Sequence, residues 1–186
     1  MSAAADDADN PSMAPHRQQV TTIVVMGVAG AGKSSVMTAL AAKLGWPTLE
    51  GDDLHPAPNV AKMAAGVPLT DDDRAPWLDA IAAAIGEREV GGSSSVVTCS
   101  ALRRRYRDVL RRGHPSVRFV HLVAARDELA SRMRNRVGHY MPPELLTSQL
   151  ETLEPLEADE PGSTIETSGT PDEMAERIVA ALRLDR

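Results

Sequence analysis

The stretch GVAGAGKS, Gly27 to Ser34, constrains this chain more than any other. It follows the apolar run TTIVVM (21–26) and precedes SSVMTALAAKL (34–44), whose apolar spacing predicts a helix. Gly27, Gly32, Lys33 and Ser34 fit G-x-x-x-x-G-K-[ST], and the flanking strand and helix are the context that gives this pattern its meaning. Backbone N–H groups converge on phosphate oxygens only where no side chain intervenes, and the helix that follows adds its positive end. The expected phosphate seat is Gly27, Val28, Ala29, Gly30, Ala31, Gly32, Lys33, Ser34 and Ser35. Lys33 would reach the outer phosphates, and the Ser34 hydroxyl would ligate Mg²⁺. Such a loop implies a nucleoside triphosphate as ligand.

The rest of the chain repeats the strand-then-helix rhythm. Runs rich in β-branched residues at 95–99 (SVVTC) and 117–123 (VRFVHLV) predict buried parallel strands, with weaker candidates at 47–52 and 163–167. Helical patterns occupy 74–88, 101–112, 126–136 and 171–184, the last with Thr170 as cap and Pro171 at its first position. The alternation predicts an α/β fold, an open parallel sheet covered by helices on both faces. Residues 1–19, rich in Ala, Asp and Pro, are expected to form a disordered extension, and 20–186 a single domain.

Composition narrows the partners. A net charge of −6 argues against a general affinity for nucleic acid or anionic membrane, and no apolar run approaches spanning length. Cys99 is the only cysteine, which excludes an intramolecular disulfide and a cysteine-rich zinc site. The expectation is a cytoplasmic protein. Six of the ten residues in RRRYRDVLRR (103–112) are arginine, but with Tyr106 as the single interleaved aromatic they read as a largely solvated helix face.

A guanine-reading N-K-x-D segment is missing, which sets signalling GTPases aside. Where many P-loop ATPases carry a metal-binding Asp after the third strand, this chain has Cys99-Ser100-Ala101. Another acid must help hold the metal. Asp52 is expected in that role, at the end of a strand thought to lie beside the P-loop strand.

The segment GDDLHPAPNVAKMAAGVPLTDDDRAPWL (51–78) makes the reading specific. Together with GVAGAGKS, TCSALRRRYRDVLR and HYMPPELLTSQLETLEP, spread from 27 to 155, it resembles the gluconate kinases. Those are small P-loop kinases that transfer phosphate from ATP to the 6-hydroxyl of D-gluconate. The resemblance implies a five-stranded parallel sheet of the P-loop NTPase class, a small helical substrate-covering insert at about 53–75, and a mobile lid at about 132–143. It also implies ATP, Mg²⁺ and D-gluconate as ligands, and a homodimer as the common assembly. Asp53 after the Gly-Asp pair, Tyr140 in place of a common Phe, and Val137 in a lid stretch that is often basic are departures from the family pattern.

A sugar-acid kinase must hold a carboxylate, line up hydroxyls and place one of them in line with the γ-phosphate. Asp52 is the candidate to orient that hydroxyl and take its proton, a cap after the strand being the bland alternative. His55 and Lys62 would donate to hydroxyls or carboxylate, although for His55 a purely structural role is an equal reading. Arg74 on the following helix is the candidate carboxylate clamp, with Asp71–Asp73 placed to cap that helix and Trp77 assigned to the core. Arg107, four residues from Arg103, is a candidate substrate contact. In the lid, Arg132 is assigned to the adenine face and Arg136 to the transferring phosphoryl group, and exposed helix charge is the other reading of both. The turn TSGTP (167–171) resembles a loop that closes on adenine, and a turn that merely caps the last helix would read the same. Shikimate kinase chemistry is disfavoured by CSAL after the third strand, and a non-catalytic ATP-binding regulator by the complete insert motif.

Overall fold

The computed structural model describes residues 20–134 and 144–184. Strand β1 (Thr22–Met26) is buried along its whole length, and a strand with two buried faces needs strands on both edges and a helical layer on each side. Helix α1 (Lys33–Leu44) returns the chain to β2 (Thr48–Glu50), which runs into a single 3₁₀ turn, Gly51–Leu54. Then come α2 (Ala57–Ala64), α3 (Asp71–Val90), β3 (Ser95–Thr98), α4 (Arg104–Arg111), β4 (Val117–Val123), α5 (Arg126–Arg134), α6 (Glu144–Thr152), β5 (Gly162–Glu166) and α7 (Pro171–Leu182).

All five strands are parallel, in the order β2-β3-β1-β4-β5. The sheet is the one expected, with one correction. β2 lies at the edge and pairs with β3, so β3 separates it from the P-loop strand. The α1 crossover carries the chain past the position that β3 later fills.

Side chains alternate along β1: Ile23 and Val25 join one apolar cluster with Leu40 of α1 and Ile178 of α7, whereas Val24 and Met26 join another with Trp77 and Ile81 of α3 and Leu110 of α4. Cys99, buried in the second cluster, has its thiol pushed up to about 12 by burial, which leaves it an inert core residue.

Three helix boundaries carry chemical meaning. Helix α3 begins at Asp71 because Thr70 and Asp73 form a reciprocal capping box. Helix α4 begins three residues later than the pattern at 101–112 suggests: Ala101 sits at φ 42 and Arg103 is extended, so the segment after β3 forms a rim loop first. Helix α6 was not expected as an element. At α7 the Thr170 cap and Pro171 stand as read, with Glu173 completing the box.

Candidate active site

Parallel strands put their carboxyl ends on one edge of the sheet, and the loops after β1, β2 and β3 line a cleft there, open to solvent. Gly27, Gly30 and Gly32 all have positive φ. At Gly27, φ 134, a Cβ would also stand 2.7 Å from the Leu122 carbonyl oxygen on β4, so only glycine lets the loop turn against the sheet. The Gly27 amide donates to the Ser100 carbonyl (3.3 Å), tying the loop to the end of β3.

Among the described residues no side-chain hydrogen bond caps α1, and its first turn holds no acid, so the helix itself brings no negative charge to its positive end. Ala29, Gly30, Gly32, Lys33 and Ser34 line the cleft. Val28 and Ala31 are buried behind the loop, and Ser35 is exposed on the first turn of α1. The Lys33 ammonium folds back across the loop, donating to the carbonyls of Gly27 (3.1 Å) and Val28 (3.2 Å).

Across the cleft, the end of β2 is locked by close packing. Gly51 donates to Thr98 Oγ1 (3.1 Å) and accepts from Trp77 Nε1 (2.7 Å), and a Cβ on Gly51 would lie 2.1 Å from the Thr98 carbonyl oxygen. That contact fixes the start of the turn that presents Asp52. The Asp52 side chain lines the cleft, exposed to solvent, as does His55.

Trp77 is core, as expected, but its ring also forms the floor under His55, with centroids 4.1 Å apart and planes at 13°. Burial holds the His55 imidazole below its ordinary pKa; the Asp52 carboxylate opposes this and the Arg74 guanidinium adds to it. His55 is therefore neutral at neutral pH. Its Nδ1 faces the Asn59 amide donor at 3.4 Å, an arrangement that suits a proton on Nε2.

Arg74 lines the same cleft and is held by a network that its sequence context did not reveal. Its guanidinium donates to the Tyr106 hydroxyl (3.3 Å) and stacks over that ring at 5.5 Å. The Tyr106 hydroxyl in turn donates to the Asp71 carboxylate, which also accepts from Arg105 and lies 3.8 Å from Arg103. The Tyr106 hydrogen bond, with Arg105 and Arg103 nearby, holds Asp71 below the usual carboxylate range despite some opposing desolvation. An acid among these arginines keeps one of them, Arg74, facing the cleft.

Two expected site residues are turned elsewhere. Lys62 is bound by both oxygens of Asp73, at 2.6 and 2.8 Å, and braces α2 against the cap of α3. The Lys62 ammonium and the Thr70 cap hold Asp73 down at about 2. Arg107 is fully buried, paired with Glu160 at 2.5 Å and donating to the carbonyls of Ala101, Glu154 and Pro155. It braces the rim loop after β3 from below, and the expected substrate contact is corrected to a structural one. Arg132 donates to Thr167 Oγ1 and O, both at 3.1 Å, which brings it to the 167–171 turn. Arg136 lies outside the described residues, as do Val137 and Tyr140. Gln149 of α6, not singled out from sequence, lines the cleft and accepts from the Ala29 amide (2.7 Å).

Ser34 and Asp52 offer hydroxyl and carboxylate oxygen to the same cleft, the hard donors that Mg²⁺ prefers. Among the described residues no group of three or more His, Cys, Asp or Glu side chains could cage a metal. That donor set fits an ion that draws most of its ligands from phosphate and water.

The glycine loop between β1 and α1, the all-parallel sheet and the cleft at its carboxyl edge define a P-loop kinase fold. A model of the AAA domain family matches residues 23–156. The gluconokinase of Gluconobacter oxydans is 48% identical over 157 residues, covering 84% of this chain and 88% of that one. Among solved structures, a gluconokinase from Sinorhizobium meliloti superposes with TM-score 0.77 at 47% identity, covering 89% of this chain and 93% of that one. An unliganded sugar kinase from a Janibacter species reaches TM-score 0.85 at 44% identity, covering 89% and 96%. The chain belongs to the gluconokinase family.

Proposed function

We propose that this chain phosphorylates D-gluconate at its 6-hydroxyl with ATP, giving 6-phosphogluconate and ADP. The observation that carries the reading is the pairing, in one cleft, of the phosphate loop with Asp52 and Arg74. The loop amides and the α1 N-terminus hold the phosphates, and Lys33 leaves its carbonyl partners for the outer ones. Bound Mg²⁺, held by Ser34 and Asp52, would neutralise phosphate charge. The 6-hydroxyl oxygen attacks the γ-phosphorus, the bond from that phosphorus to the bridging oxygen breaks, and ADP departs. Asp52 orients the hydroxyl and receives its proton. Arg74 clamps the carboxylate at the other end of the six-carbon chain, and neutral His55 donates from Nε2 to a hydroxyl between them. Arg132 and the 167–171 turn take the adenine side. A cytoplasmic homodimer completes the reading; no described helix is long and apolar enough to cross a membrane.

Steady-state kinetics separate the two ends of the substrate. Asp52→Asn keeps the shape and loses the charge, so kcat falls while KM for gluconate holds, the mark of an interaction made in the transition state. Arg74→Ala raises KM for gluconate about 10- to 150-fold, the loss of a charged hydrogen bond of roughly 1.5–3 kcal/mol, and leaves ATP binding unchanged. A normal gluconate KM in Arg74→Ala, or full turnover in Asp52→Asn, contradicts the assignment.

A further inference from the structure

Gln149 reaches the phosphate loop from a helix 120 residues away in sequence. Its partner, the Ala29 N–H, can only donate, so the atom at 2.7 Å is the carboxamide oxygen and the other end of the group is the NH₂ donor. Its location picks out one part of the loop. Ala29 follows Gly27 and Val28, the two residues whose carbonyls hold the Lys33 ammonium. In this motif the lysine serves the outer phosphates, while the later loop amides and the helix end serve the inner ones. Gln149 and Lys33 therefore border the same end of the seat, in the cleft that also holds Asp52.

The mount is firm. Leu146 of α6 is buried, Leu150 and Leu153 pack on the same apolar cluster, and just past the helix the Glu154 amide donates to the Leu102 carbonyl at 2.7 Å. A carboxamide suits this place. It donates to an anion without adding charge, while its oxygen accepts from the Ala29 amide.

We propose that Gln149 contacts the γ-phosphate, positioning it for transfer. This rests on the cleft being a phosphoryl-transfer site, but it concerns the nucleotide alone and is testable without gluconate. Gln149→Glu keeps the oxygen that accepts from Ala29, removes the donor and sets a negative charge beside the phosphate. Gln149→Ala removes both ends. Affinities for a non-hydrolysable ATP analogue and for ADP, measured by calorimetry on both variants alongside their melting temperatures, read the contact. The expected result is a loss of about 10- to 150-fold for the ATP analogue in Gln149→Glu, as for one charged hydrogen bond. Gln149→Ala should lose less, and ADP affinity should stay within about threefold in both. A merely structural tie gives the reverse order, with Gln149→Glu binding the analogue as the parent does and Gln149→Ala melting early. That result, or equal losses for ATP analogue and ADP, overturns the proposal. Failure of the parent to phosphorylate gluconate would overturn the functional reading and leave this measurement to be judged on its own.

Discussion

At the scale of single residues, charges that line the cleft are distinct from charges held in ion pairs away from it. Lys33, Asp52 and Arg74 line the cleft, whereas Lys62 and Arg107 are taken up by Asp73 and Glu160. Tyr106 stands between these groups, accepting from Arg74 and donating to Asp71. Tyr106→Phe keeps the buried ring and its stacking but removes the hydroxyl. The expected result is a gluconate KM raised about 2- to 12-fold, one hydrogen bond of roughly 0.5–1.5 kcal/mol, with kcat and the KM for ATP unchanged. Parent-like gluconate KM in this variant would mean that Arg74 is aimed without Tyr106. Neither Tyr106 nor Gln149 was legible in the sequence, because an uncharged polar side chain has no spacing signature and its role comes from partners distant in the chain. Arg107 was misread for a related reason. Periodicity placed it on a face, but Glu160, 53 residues on, decides where its guanidinium goes.

Among the elements, the joint between α4, the rim loop and the segment after α6 depends on that one buried pair. Taking two charges out of water costs several kcal/mol per ion, and here the cost is offset by short ion-pair contacts and three carbonyl acceptors. Burial alone would raise the Glu160 carboxyl; the Arg107 contacts outweigh it and leave its pKa lowered. Arg107→Met strands a buried carboxylate and should cost about 3–5 kcal/mol in urea unfolding. Replacing Glu160 by Met as well removes the stranded charge and should recover a large part of the loss. A double variant as unstable as the single one would show that the carbonyl contacts, and not the ion pair, carry the joint. The elements themselves were readable to different degrees. β1, β3, β4 and α7 carry strong local signals in β-branched runs or a capping box. β2 has three residues, and its place at the sheet edge is set by pairing with β3, which no local pattern encodes.

For the molecule as a whole, function follows from topology. Five parallel strands deliver five loops to one edge, and the loops after β1, β2 and β3 line one cleft there. The phosphate loop was legible because its chemistry demands glycine at fixed positions, and the cleft position of Asp52 because a parallel sheet opens its ligand crevice at the strand ends. The reaction proposed for this cleft joins the terminal phosphate of ATP to the terminal hydroxyl of gluconate. Phosphorus NMR of a reaction of the full chain with ATP, Mg²⁺ and D-gluconate, with shikimate as the alternative acceptor, tests it most directly. The expected product is one new phosphate monoester coupled to the two protons on C6, formed in equal amount with ADP and only when gluconate is present. No ester from gluconate, an ester at another carbon, or equal transfer to shikimate would contradict it.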